Sequence, residues 1–179
     1  MATVSARKLI RQYVINLLKV GLPEFNNRVF GNRDKPLHQT EMPCVLVYTK
    51  SEQAAIYIEA PRSYQITLKL EIQITSRLRD GADDYLDDIC EKIEELIFND
   101  TYLNGLAQDV LLSDTESDFK YEGEQGVAGS RITFDVLYEK VAPEETLGLD
   151  PLIRAHVEYK SPPDTGQAPI VNDIVLPQV

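Results

Sequence analysis

The sequence predicts an α+β fold: a mixed, mainly antiparallel sheet packed against two helices, with a protruding β-hairpin arm and an extended C-terminal tail. Three observations carry this reading. Residues 63–76, SYQITLKLEIQITS, place Tyr64, Ile66, Leu68, Leu70, Ile72 and Ile74 on every second position, with polar residues between them. A period of two puts one set on each face of a strand, so one face is apolar and the other wet. Residues 4–20 and 81–98 repeat their apolar residues at steps of three and four instead, the mark of amphipathic helices. Past Val141 the chain turns proline-rich and keeps only short apolar runs, too little for a core of its own.

At about 3.3 Å per residue, the strand over 63–76 would reach about 40 Å, well beyond the common strand of about 5–6 residues. It must either run past its sheet as an arm or bend.

The first helix carries its stripe on Leu9, Ile10, Tyr13, Val14, Leu17 and Leu18, with Arg7, Lys8, Arg11 and Lys19 expected in solvent. Thr3 or Ser5 can cap its start, Gly21 stands where a left-handed residue closes a helix, and Pro23 bars continuation. Residues 28–30 read as a short edge strand, followed by a turn-rich stretch, GNRDKP, at 31–36. The near-continuous apolar run CVLVY at 44–48 predicts a strand buried on both faces. A shorter strand at 56–59 precedes Pro61, and with the first half of 63–76 it makes the predicted hairpin arm.

The second helix buries Leu86, Ile89, Cys90, Ile93, Leu96 and Ile97, with Asp80 as N-cap and acidic residues crowding the dipole-favoured first turns. Residues 103–106 close the helical region. Strands begin at 110–114 and run over 131–140, joined through a glycine-rich, acidic loop at 118–130. The expected division is a core over residues 1–141 and a proline-rich extension over 142–179 that packs on its own chain or a neighbouring subunit.

Composition narrows the function classes. The 179 residues, 43% hydrophobic and 26% charged, are enough for one domain with a buried core. No run approaches the roughly 18–20 apolar residues of a membrane span. The opening MATVSARKLIRQ lacks a continuous apolar segment, so a cytoplasmic protein without a signal peptide is expected. A net charge of −11 disfavours binding to a nucleic-acid backbone, which rests on Lys and Arg displacing counterions. Cys44 and Cys90 lie on apolar faces and read as buried, inert thiols rather than zinc ligands or a redox pair.

Candidate chemistry is sparse. Asp80, Asp83, Asp84, Asp87 and Asp88 offer oxygens to a hard divalent cation, with Asp84 and Asp88 the residues to test; a solvated, dipole-matched helix start explains the same pattern. His38 and His156 sit in separate proline-flanked segments with no nucleophile–acid partner nearby in sequence. GEQGVAGS at 123–130 lacks the Lys of a phosphate-binding loop and holds two glutamates that would repel phosphate. No pattern calls for a catalytic set or a cofactor.

Several phrases resemble those of a known family. A helix ending in Leu22 and Pro23 leads to Arg28, Val29 and Phe30, then to P-L-x-x-x-E-x-P-x-x-x-V-Y at 36–48. The long strand at 64–74, the acidic helix at 83–98, residues 103–106 and 110–112, and the closing strand at 131–138 follow. Over residues 3–140 the chain resembles the tail terminator proteins of long-tailed bacteriophages, of the minor tail protein U type. The ending V-E-Y-K-S-P-P-D at 157–164, with Asp173, Ile174, Leu176 and Pro177, resembles the extension that some of these proteins carry in contractile-tailed phages.

The resemblance implies a structural virion protein and not an enzyme. Terminators form a homohexameric ring on the head-proximal end of the tail tube, stop its polymerisation and offer a docking face to the neck. The implied partners are further copies of the chain, the tail tube protein and the neck or head completion protein, with the tail sheath protein a further candidate. DNA passes through the lumen without specific binding, and no membrane takes part. The implied location is the virion, at the head-proximal end of the tail, reached through assembly in the host cytoplasm. A closed ring needs two different patches on each chain. These are expected on the arm over 49–62 and on the opposite sheet edge, with the extension overlapping the next subunit. Glu52, Ile56, Tyr57, Arg62, Tyr159, Ile170 and Val175 are the interface candidates. The alternatives are another neck protein, either a tail-completion or a head–tail connector subunit, and more remotely a metal-dependent enzyme using the Asp cluster.

Overall fold

The computed structural model describes residues 5–32, 39–77, 81–120, 126–143, 154–159 and 170–175. The chain divides into two compact units, Met1–Ala142 and Pro143–Val179. Among the described residues of the first, helices α1 (Ala6–Gly21) and α2 (Ala82–Phe98) accompany a five-stranded sheet. Its strands are β1 (Val29–Gly31), β2 (Cys44–Glu59), β3 (Arg62–Arg77), β4 (Asp109–Lys120) and β5 (Val127–Val141). The spatial order is β1-β2-β3-β5-β4; β1 runs parallel to β2, and every other pair is antiparallel. The fold is therefore α+β, with a mixed, mainly antiparallel sheet.

The alternation along β3 sets the layers. Ile66, Leu68, Leu70, Ile72 and Ile74 are all buried. Register places them beside Val45 and Val47 of β2 on one side and Ile132, Phe134 and Val136 of β5 on the other. On that face, α1 packs Ile10, Val14 and Leu18, spaced four apart, and α2 packs Leu86, Ile89, Ile93 and Ile97. The intervening residues of β3 face the other way, where charges pair across strands: Lys69 with Asp135 at 2.8 Å, Lys50 with Glu71 at 3.4 Å, and Arg131 with Glu116. Cross-strand pairs of this kind suit a face in contact with water.

Cys44–Val47 are all buried, as the apolar run predicts. The break predicted between strands at 48 and 56 does not exist. β2 is a single 16-residue strand, because residues 52–56 keep pairing with residues 64–68 of β3 although their side chains are exposed. Backbone hydrogen bonds hold this stretch, and periodicity cannot report them. The loop expected over 118–130 is also largely strand: Asp118 pairs with Gly129, Phe119 with Ala128 and Lys120 with Val127.

Gly21 does not take the left-handed conformation expected of it. It is the last residue of α1, and its φ is not in the left-handed region, where Gly81 (φ 73°) and Gly105 (φ 79°) lie. Its small size serves packing instead, since a β-carbon there would stand 2.3 Å from Leu96 Cδ1. Ser5 takes the N-cap position, but its side chain makes no capping hydrogen bond, and Thr3 lies outside the described residues. Gly81 precedes α2, and the expected cap Asp80 lies outside the described residues.

After α2 the chain turns through Leu103, Asn104 and Gly105, all with positive φ. Burial of the Leu103 side chain and a hydrogen bond from Asn104 N to Asp100 Oδ2, 2.9 Å, hold this unusual backbone. Asp100 Oδ2 also accepts from Tyr13 Oη at 2.5 Å, which ties the turn to α1.

In the second unit, β6 (Arg154–Tyr159) and β7 (Ile170–Val175) form an antiparallel pair. Two of the short apolar runs of the extension thus pair with each other.

Candidate interface at the outer end of the sheet

β2 changes character at its midpoint. Thr49 pairs with Leu70 and Glu52 with Leu68, so one extra residue is inserted in β2, a β-bulge. Before the bulge the strand is largely buried; from Lys50 to Glu59 every residue is exposed. A second register shift between Ile56 and Ile58 moves the side chains to the opposite face. Ile56, opposite Tyr64, and Ile58, opposite Ser63, therefore point to different sides of the sheet.

The predicted two-stranded arm is three strands wide at this end. β5 follows β3 out to Val141, which stands opposite Ser63, so Ile58, Ser63 and Val141 form one row across three strands. Ile56 is 59% exposed, Tyr57 53%, Ile58 44% and Val141 61%. Large apolar side chains thus stand on both faces of one sheet end. Between them Ser63 Oγ is buried without a hydrogen-bond partner among the described residues.

A polar cluster lies at the bulge. Tyr138 Oη reaches across β3 and donates to Glu52 Oε1 at 2.6 Å, and Arg7 Nε stands 3.4 Å from the same oxygen. Arg7 Nη2 donates to the Thr49 carbonyl at 3.3 Å, and Arg11 Nη1 donates to Thr49 Oγ1 at 2.9 Å. Burial, then the hydrogen bond and the charge of Glu52, push the Tyr138 hydroxyl well above its ordinary value.

The predicted interface residues separate on this geometry. Ile56, Tyr57 and Arg62 are exposed at the outer end. Glu52 is engaged within its own chain by Arg7 and Tyr138. Tyr159, Ile170 and Val175 are in the second unit, where Tyr159 pairs with Ile170 and Arg154 with Val175. Arg7 and Arg11, expected in solvent, are half-buried at the bulge. Sequence reading missed them because a basic residue on a helix flank looks solvated until the strand beside it is known.

Asp84 and Asp88 are exposed on α2. Among the described residues no group of three or more His, Cys, Asp or Glu is placed to hold a metal ion, and no helix is long and apolar enough to cross a membrane. His38 lies outside the described residues, and His156 pairs with Asp173 by backbone in β6 and β7. Both cysteines are buried, and burial pushes the Cys90 thiol up. No protein-family model matches the chain, and no curated protein matches it.

Proposed function

We propose that this protein is a structural building block that assembles with copies of itself into a ring on the head-proximal end of a bacteriophage tail tube. In this role it ends tube growth, presents a docking face to the neck of the DNA-filled head, and catalyses no reaction. The sequence resemblance over residues 3–140 supports the placement. The observation that carries the assembly is the outer end of the sheet, where Ile56, Tyr57, Ile58 and Val141 present apolar surface on paired strands. Exposed apolar side chains clustered on both faces of one strand end suit insertion against another chain.

Electron microscopy of particles made without this protein tests the reading. Overlong tails support a terminator. Tails of normal length that fail to join heads would move the protein to a connector position in the neck, and joined, infectious particles would overturn the proposal.

A further inference from the structure

The cluster at the β2 bulge joins three elements far apart in sequence. Arg7 opens α1, Glu52 follows the bulge on β2, and Tyr138 sits near the end of β5. Their contacts meet on a single carboxylate oxygen, Glu52 Oε1, while Arg7 and Arg11 hold Thr49 on the other side of the inserted residue. Thr49 is 7% exposed and Tyr138 6%, so both anchors belong to the packed body of the sheet. Beyond them β2 has no buried side chain. A bulge bends and twists a strand, and its direction afterwards depends on what fixes the residues around the insertion.

We infer that Arg7, Glu52 and Tyr138 form a clasp across the bulge that sets the direction of the outer half of β2. The three are positioning residues for the apolar end at Ile56–Ile58, and this role holds whether or not that end meets another subunit. Hydrogen bonds to a charged group, partly shielded from water, are strong enough to select one direction over a range of them. The flanking pairs to β3 fix only the β3 side of the strand. The clasp fixes β2 to the helix layer and to β5.

Hydrogen exchange of the full-length protein, resolved by peptide, tests this. Tyr138→Phe keeps the ring and removes the donor; Glu52→Ala removes the shared acceptor. In both, the hydrogen-bonded amides over residues 53–59 are expected to exchange about tenfold faster, with residues 70–74 of β3 unchanged. Gly21→Ala, which perturbs the α1–α2 contact elsewhere, is expected to leave the ratio of the two regions unchanged. Equal acceleration in both regions, or none over 53–59 in Tyr138→Phe, would overturn the clasp. Should Glu52→Ala not fold, Tyr138→Phe alone decides.

Discussion

Gly21 and Leu96 meet so closely that a single methyl group on the glycine would overlap the leucine, its β-carbon 2.3 Å from Cδ1 and 2.6 Å from Cδ2. Gly21→Ala requires the half-buried Leu96 side chain to swing aside, and the repacking is expected to outweigh the small helix-propensity gain at a terminal position, for a net loss of up to about 1 kcal/mol. Leu96→Ala in the same chain should remove most of that penalty. Chemical denaturation of both single variants and the double variant checks it, through a coupling of at least about 0.5 kcal/mol.

Alkali should weaken the fold early. The hydrogen bond to Asp100, then burial and the Asp100 charge, raise the Tyr13 hydroxyl above its ordinary value of 10.0; burial raises the Cys90 thiol above 9.0, and burial with Glu52 raises Tyr138. In each case folding favours the neutral form. The unfolded chain ionises first, so the stabilisation is complete below the ordinary values and is lost as pH climbs through them toward the folded ones. Urea midpoints measured at rising pH should hold steady to about pH 9 and then decline. Tyr13→Phe should flatten part of the decline.

Ser63 offers a substitution with the opposite sign. Its hydroxyl is buried with no partner among the described residues. Ser63→Ala removes a desolvated polar atom and is expected to raise stability by up to about 1 kcal/mol. A melting temperature below that of the parent chain would show that the hydroxyl has a partner.

The sequence exposes the parts of this fold that bury apolar surface at regular spacing. β3 and both helices are legible because Ile66–Ile74 and Ile10, Val14 and Leu18 repeat with the geometry of their elements. The outer half of β2 is not legible, because Lys50–Glu59 stay in solvent and their pairing rests on the backbone of β3. Gly21 is ambiguous for a different reason: a glycine that ends a helix and a glycine that lets two helices touch look alike in one dimension. The clasp is hidden because residues 7, 52 and 138 share no local pattern. Of the outer end, Ile56, Tyr57 and Arg62 are named from the sequence as interface candidates; that Val141 shares a row with Ile58 and Ser63 follows only from the strand register.

If the outer end docks against another subunit, charging it should separate assembly from folding. Ile56→Lys with Ile58→Lys alters exposed side chains and is expected to change stability by no more than about 0.5 kcal/mol. The same pair of changes should abolish association with other copies, as sedimentation velocity of the variant against the parent chain would show.

The most direct test is an image. Purified protein, mixed with tail tubes and negatively stained, should appear as a closed six-fold collar on the tube end that faces the capsid. Bare tube ends beside a protein that stays a monomer at every concentration would contradict the account.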